Sequence, residues 1–331
     1  MFGPLATVID PYSSMRRRRM RWFAGVGLLI ALMGGLGWMI SFRRQLPAEY
    51  QRSFSSNVER LTSVAFDSER NLLIAGSAEG RAVYWNWPAD TAHELDRWSG
   101  EPLTAIAVTR DGLLVAGCLS NDVFGWSFEN HQLRKLPELG ASVSCIGVRP
   151  KTIELGLGLS NGVLAVVAPK KTRRIRSGHR GGIKSLSYDP MGKILVTGGS
   201  DGRLIWRDAA TMKVSGVTRL HQTEVSSLCF SADGEILISG DWNGLIVVWE
   251  AKTAKEIQRW QQPDAVSGLI ITPTRLISAS WDGNLRLWWP KGWRLDREIN
   301  TGRPIYALTA GDDPTVLFTV SNSNELDEWK L

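Results

Sequence analysis

Residues 224–250 read EVSSLCFSADGEILISGDWNGLIVVWE, and this stretch decides the fold. It holds three short apolar runs: Val225–Phe230, Ile236–Ser239 and Leu245–Trp249. Two turns separate them, Ser231-Ala232-Asp233-Gly234 and Asp241-Trp242-Asn243-Gly244. Runs of this length, rich in β-branched residues and bounded by Gly, Asp, Asn and Ser, predict strands joined by tight turns. A more polar run, Glu256–Gln261, follows and predicts a fourth strand at an exposed rim.

Trp249 is one point of a grid that spans the chain. Trp85, Trp126, Trp249, Trp288 and Trp329 lie on it, with Val167 and Arg207 at the two points that lack Trp. The steps are 41, 41, 40, 42, 39 and 41 residues. A repeat of this period with four strands per unit predicts a β-propeller. The units fall at about 57–97, 98–140, 141–180, 181–222, 223–262, 263–303 and 304–331. The last holds only three strands. Tyr50-Gln51-Arg52-Ser53-Phe54 aligns with the outer strand Ile257-Gln258-Arg259-Trp260 and can supply the missing one. The expected fold is therefore all-β: a seven-bladed ring over residues 50–331, closed by its own N-terminal strand with no ragged sheet edge.

These repeats resemble WD-repeat propeller blades. Ser278, Asp282 and Trp288 stand at the family's Ser, Asp and Trp positions in one unit. His221, Ser239 and Trp249 do so in the unit before it, with Asn243 in place of the Asp. His179, Thr197 and Asp201 match in another, where Arg207 replaces the Trp. The resemblance implies a side-chain network tying outer to inner strands in each blade. It says little about function, because this fold hosts many activities.

The net charge of +6 resides outside the ring. Residues 1–44 hold seven Arg and one Asp, which leaves 32 basic and 32 acidic residues in the remainder. A nucleic-acid footprint belongs on the binding domain itself, so none is expected here. Cys118, Cys145 and Cys229 lie within apolar runs and read as buried small hydrophobes. Of the four His, two belong to the blade pattern, while His93 and His131 stand alone. No metal-binding spacing, phosphate-cradling glycine loop or nucleophile elbow is present, and no catalytic residue, metal, cofactor or small-molecule substrate is predicted.

Trp22 to Ile40 is nineteen residues without a charge. At ~1.5 Å per residue that length can cross a ~30 Å hydrocarbon core as a helix. Five Arg precede it and two follow, so the N-terminus is expected on the cytoplasmic side and the ring on the periplasmic, lumenal or extracellular side. A cleaved signal peptide is the competing reading, though no clear small-x-small cleavage site precedes the blades. Gly27, Ala31 and Gly35 recur at four-residue steps and suit close helix packing in lipid. The domain plan is then a disordered segment at 1–15, a basic flank and transmembrane helix at 16–42, a linker at 43–49 and the ring at 50–331.

A linker from Ser41 to Glu49 spans at most ~30 Å and should hold the ring near the bilayer. Tyr50–Phe54 is an outer strand, so the linker enters on the face bearing the turns between third and fourth strands. Trp87, Trp289, Lys291, Trp293, Lys170 and Lys171 belong to loops there, and Trp and Lys suit a lipid headgroup layer or a membrane partner. The competing reading is ordinary packing of the rings beneath their loops. On the far face, Trp242 and Trp281 occupy the same position in adjacent blades and form a candidate protein-binding spot, with Arg180 and Gln222 as a polar rim. The basic run 170–176 is read either as a solvated rim or as a site for acidic protein or phospholipid.

The expected function is a non-catalytic, membrane-anchored interaction scaffold, an accessory subunit of a larger membrane complex, contacting lipid through the 22–40 helix and other subunits through the ring. The alternatives are a tethered envelope-assembly or signalling protein and a propeller enzyme with a site in the central channel.

Overall fold

The computed structural model describes residues 47–331, apart from Asp96, Lys170 and Asn322, within a compact unit spanning Leu46–Leu331. The expected disordered segment, the 22–40 helix with Gly27, Ala31 and Gly35, and all of the linker before residue 47 lie outside the described residues. Among the described residues no helix is long and apolar enough to cross a membrane.

Seven four-stranded antiparallel sheets form the ring. Blade 1 is β2 (Leu61–Asp67), β3 (Leu72–Ser77), β4 (Ala82–Asn86) and β5 (Ala92–Glu94). Blade 2 is β6 (Leu103–Val108), β7 (Leu113–Cys118), β8 (Val123–Ser127) and β9 (Gln132–Lys135). Blade 3 is β10 (Val143–Val148), β11 (Leu155–Leu159), β12 (Val163–Ala168) and β13 (Lys171–Arg176). Blade 4 is β14 (Ile183–Tyr188), β15 (Ile194–Gly199), β16 (Arg203–Asp208) and β17 (Val214–Arg219). Blade 5 is β18 (Val225–Phe230), β19 (Ile236–Asp241), β20 (Leu245–Glu250) and β21 (Lys255–Gln261). Blade 6 is β22 (Val266–Ile271), β23 (Leu276–Ser280), β24 (Asn284–Trp289) and β25 (Arg294–Asn300). Blade 7 is β26 (Ala307–Ala310), β27 (Val316–Val320) and β28 (Glu325–Lys330), completed by β1 (Tyr50–Ser55).

The grid is a structural register. Each grid residue sits on a third strand and pairs with a Leu of the second. The pairs are Leu73–Trp85, Leu114–Trp126, Leu155–Val167, Leu195–Arg207, Leu237–Trp249, Leu276–Trp288 and Leu317–Trp329. Val167 and Arg207 thus keep the position while losing the ring. The apolar clusters lie between blades. One joins Trp85 of blade 1 to Phe318 and Leu326 of blade 7, and another joins Trp206 of blade 4 to Val225 and Trp249 of blade 5. Burial of such side chains, at roughly 25 cal/mol per Å² of apolar surface, is what holds one blade to the next.

In blades 1 to 6 the first strand carries a bulge at its second residue. In blades 1, 2 and 5 the bulged residue, Thr62, Thr104 or Ser226, turns its hydroxyl toward the neighbouring blade. Thr62 Oγ1 lies 3.0 Å from Gly76 O on its own sheet and 2.7 Å from Leu103 O on the next. Ser226 Oγ repeats this with Gly240 O at 3.1 Å and Val266 O at 2.6 Å. Close approach also explains Gly240: a Cβ there would lie 2.5 Å from Val266.

The seam closes as the sequence implies. β1 pairs antiparallel with β28, with Phe54 opposite Leu326. Phe54 is fully buried, its ring 6.0 Å from that of Trp85 and 6.2 Å from that of Phe318. Ser53 Oγ donates to Asp327 at 2.5 Å, and Arg52 pairs with Glu328 at 2.8 Å.

Candidate interaction faces

The blade networks fix the turns that carry the candidate sites. In blade 5, Trp249 Nε1 donates to Ser239 Oγ at 2.8 Å. That leaves the Ser239 hydroxyl to donate to His221 Nε2 at 2.7 Å and His221 Nδ1–H to donate to Asp241 at 2.9 Å. The acid is Asp241, not Asn243, which corrects the sequence expectation. Asp241 also accepts the backbone N–H groups of Asn243 and Leu245, each at 2.9 Å, and so shapes the turn. In blade 4 the same strand position is Gly199, where a Cβ would meet His179 Nδ1 at 2.2 Å. There His179 reaches past the glycine to Asp201 at 3.0 Å, with Thr197 Oγ1 2.9 Å from Nε2.

Burial holds the His179 pKa below 6.5, and the nearby Arg207 charge pushes the same way against Asp201. Arg207 is itself buried and has no carboxylate partner among the described residues, donating to the Met212 and Ser177 carbonyls. In blade 6, Trp288 donates to Ser278 at 3.0 Å, but Gln262 takes the place of the histidine, accepting from Ser278 at 3.0 Å. Asp282 turns instead to Arg286 at 2.7 Å, a second departure from the expected network. Trp329 donates to Thr319 in blade 7 at 2.8 Å. Trp85 and Trp126 have Ala75 and Ala116 at the equivalent position, and their buried Nε1 atoms lack an acceptor among the described residues.

On the far face, the turns between second and third strands place Trp242 and Trp281 side by side. Their ring centroids are 5.2 Å apart, and both rings are partly exposed. Tyr306, which the sequence reading overlooked, packs at a tilt against Trp281, with ring centroids 4.9 Å apart, and extends the pair into a three-ring ridge across blades 5, 6 and 7. Its only sequence signal was an aromatic just before a first strand. Trp242 N donates to Glu224 O and Trp281 N to Ala265 O, so each ring is carried on a turn bonded to the loop before its own blade. Arg180 and Gln222 are exposed on the loops entering blades 4 and 5.

The opposite face departs from a simple picture of outward Trp side chains. Trp87 packs between Phe66 and Phe318, at 5.9 and 6.2 Å, and donates to Glu328 at 3.3 Å. Trp293 stacks on Trp260 at 6.2 Å. Both serve as packing beneath their loops. Trp289 differs: it is 37% exposed, its Nε1 donates to Asp296 at 2.8 Å, and the Arg275 guanidinium lies 3.3 Å from its ring centre. Lys291 and Lys171 are exposed, and Lys170 lies outside the described residues. The described chain begins on this face, where Arg297 pairs with Glu49 at 2.6 Å.

A shallow cavity of about 340 Å³ opens among the turns of blades 1 to 3, lined by Phe66, Glu69, Val108, Arg110, Arg149 and Lys151. Arg110 pairs with Glu69 at 3.1 Å and Arg149 with Glu154 at 3.3 Å. The three cysteines are free, and burial lifts Cys118 to about 11 and Cys145 and Cys229 to about 12. Among the described residues, no group of three or more His, Cys, Asp or Glu could hold a metal ion.

Comparison with known proteins agrees with this architecture. The family model described as "WD domain, G-beta repeat" matches residues 48–86, 170–207 and 213–250. Each match begins at or beside an outer strand and runs through the first three strands of the following blade. The first match therefore includes β1, so the closing strand belongs to the repeat itself. No curated protein matches the chain in sequence. Among solved structures, a chain in the "Crystal Structure of Mitotic Checkpoint Complex" superposes with a TM-score of 0.76 at 18% identity, covering 92% of this chain and 98% of that one. At that identity the likeness speaks for the fold alone. The chain is thus a seven-bladed β-propeller carrying WD40 repeats at three positions.

Proposed function

We propose that this protein is a non-catalytic, membrane-tethered scaffold, an accessory subunit that holds partner proteins against the far face of its ring. The observation that carries this reading is the ridge of Trp242, Trp281 and Tyr306, in which the Trp281 ring touches both of the others. Aromatic clusters of this kind concentrate binding energy at protein interfaces. The uncharged stretch 22–40 supports the tether, and entry of the chain on the opposite face leaves the ridge accessible to partners. Trp289, Lys291 and Lys171 would then be nearest to lipid or to a membrane subunit. The WD40 repeats fit a role in protein contact, and a ring of the same build occurs within the Mitotic Checkpoint Complex structure.

The test is purification of the full chain in mild detergent, with and without Trp242→Ala and Trp281→Ala. A co-purifying complex that is lost in the double variant supports the reading. A complex unaffected by it would remove the far face from the interface, and free monomer would favour a simple tether.

A further inference from the structure

The charge of the ring sums to zero but is unevenly placed. Blades 3 and 4, residues 141–222, hold 14 Lys and Arg against 4 Asp and Glu, a net of +10. The rest of the ring, residues 45–140 and 223–331, holds 18 against 28, a net of −10. The four acids of the basic sector are occupied within it. Glu154 is shared by Arg149 and Arg173, and Asp201 by His179 and Arg203. Asp189 accepts the backbone N–H groups of Lys193 and Ile194, and Asp208 accepts the backbone N–H and the hydroxyl of Thr211. The sector's remaining pairs reach outside it, from Lys184 to Glu224 and from His221 to Asp241. Lys171, Arg176, Lys213 and Arg219 are exposed on the rim and make no ion pair among the described residues.

Between these cations runs an unusual edge. β17 is the outermost strand of its sheet, so one side of its backbone has no strand beside it. Natural edge strands are guarded by charge, and β9, β13, β21 and β25 carry Lys, Arg or Glu along their length. β17 does not: Val214, Ser215, Gly216, Val217 and Thr218 are five uncharged residues in a row, with Val214 52% and Val217 53% exposed. Lys213 and Arg219 flank that run, and Arg174 and Arg176 stand on the rim of the preceding blade.

From these two observations we infer that the rim of blades 3 and 4 is a docking edge for an extended acidic segment of a partner protein, which adds to β17 as a fifth strand. The unpaired backbone groups call for another strand, and the surplus cations call for carboxylates along it. Strand addition derives affinity from main-chain hydrogen bonds, and the flanking charges select the partner and speed its arrival. The site is separate from the far-face ridge and stands independently of the function proposed above.

The probe is a fluorescent peptide of alternating Glu and Val, titrated against the full chain in mild detergent. Binding is expected at about 0.1 M salt and should weaken as screening shortens the ~10 Å Debye length. Hydrogen exchange should slow at residues 214–218. A peptide of the same charge, N-methylated on alternate backbone nitrogens, should bind at least about tenfold more weakly. Arg176→Glu with Arg219→Glu should cost a similar factor, while any complex held through Trp242 and Trp281 is unchanged. Equal binding of the methylated peptide would overturn the inference, as would protection elsewhere on the ring. Tighter capture by phosphatidylglycerol vesicles would assign the sector to membrane instead. Protection of 214–218 by concentration-dependent self-association alone would assign it to a second copy of the chain.

Discussion

Ala75→Ser offers a sharp test of how the blades are wired. Three blades show a Trp Nε1 bonded to a hydroxyl ten residues upstream, at 2.8, 3.0 and 2.8 Å. Trp85 is fully buried, yet the residue at that offset is Ala75, and the indole Nε1 lacks an acceptor among the described residues. A buried donor left unpaired costs ~1–3 kcal/mol, while a hydrogen bond that is made contributes ~0.5–1.5 kcal/mol net. The new hydroxyl must also place its own proton beside fully buried neighbours, so the net expectation is a gain of about 1 kcal/mol. For a domain of this size that raises Tm by roughly 2–4 °C.

Ser239→Ala is the converse. It strips both Trp249 Nε1 and His221 Nε2 of their partner and should cost about 2–4 kcal/mol. Calorimetry of the two variants, with Ala75→Ser/Trp85→Phe as control, decides the matter. The gain from Ala75→Ser should vanish in the control, where the hydroxyl has no donor to accept from. A fall in Tm on Ala75→Ser together with a silent Ser239→Ala would refute the hydrogen-bond reasoning, leaving packing alone to explain the grid.

Phe54→Ala, which hollows the seam between the first and last blades, should cost ~3–5 kcal/mol and expose the β1–β28 junction to limited proteolysis. Gly240→Ala should destabilise by forcing blades 5 and 6 apart, since the added methyl would lie 2.5 Å from Val266, and a lowered denaturation midpoint would register it. Acidification should weaken blade 4. The pKa of His179 is depressed in the fold, so the unfolded chain binds its proton first, and stability falls as pH drops below 6.5. A Tm-versus-pH profile from about 7.5 to 5.5 should flatten in His179→Gln if that histidine carries the effect.

The sequence disclosed the fold because the signal was redundant. Even where Trp gives way to Val167 or Arg207, the spacing and the Leu opposite keep the register. The closing strand was legible for the same reason, since Tyr50–Phe54 copies an outer strand and lacks a sheet of its own. Local chemistry was harder. Asp241 and Asn243 are two residues apart in one turn, and only the position of the imidazole shows that Asp241 takes the acid's role. The fates of Trp87 and Trp293 depended on neighbours distant in sequence, Phe318 and Trp260 among them. Tyr306 became part of the ridge only once blades 6 and 7 were brought together. The charge imbalance is hidden in the composition because a sum over the ring cancels, and only the placement of blades 3 and 4 side by side gives it meaning.

The seam also sets a timetable for synthesis. Arg52 and Glu328, which pair across it, are 276 residues apart in the chain. At ~5–20 residues per second, β1 leaves the ribosome roughly 15–50 s before its mate exists. During that interval a nearly finished row of sheets has bare flanks at each end, the state in which rings of neighbouring chains can exchange strands. Slowing the last stretch of translation should therefore raise the yield of intertwined dimers without altering a single contact in the finished molecule.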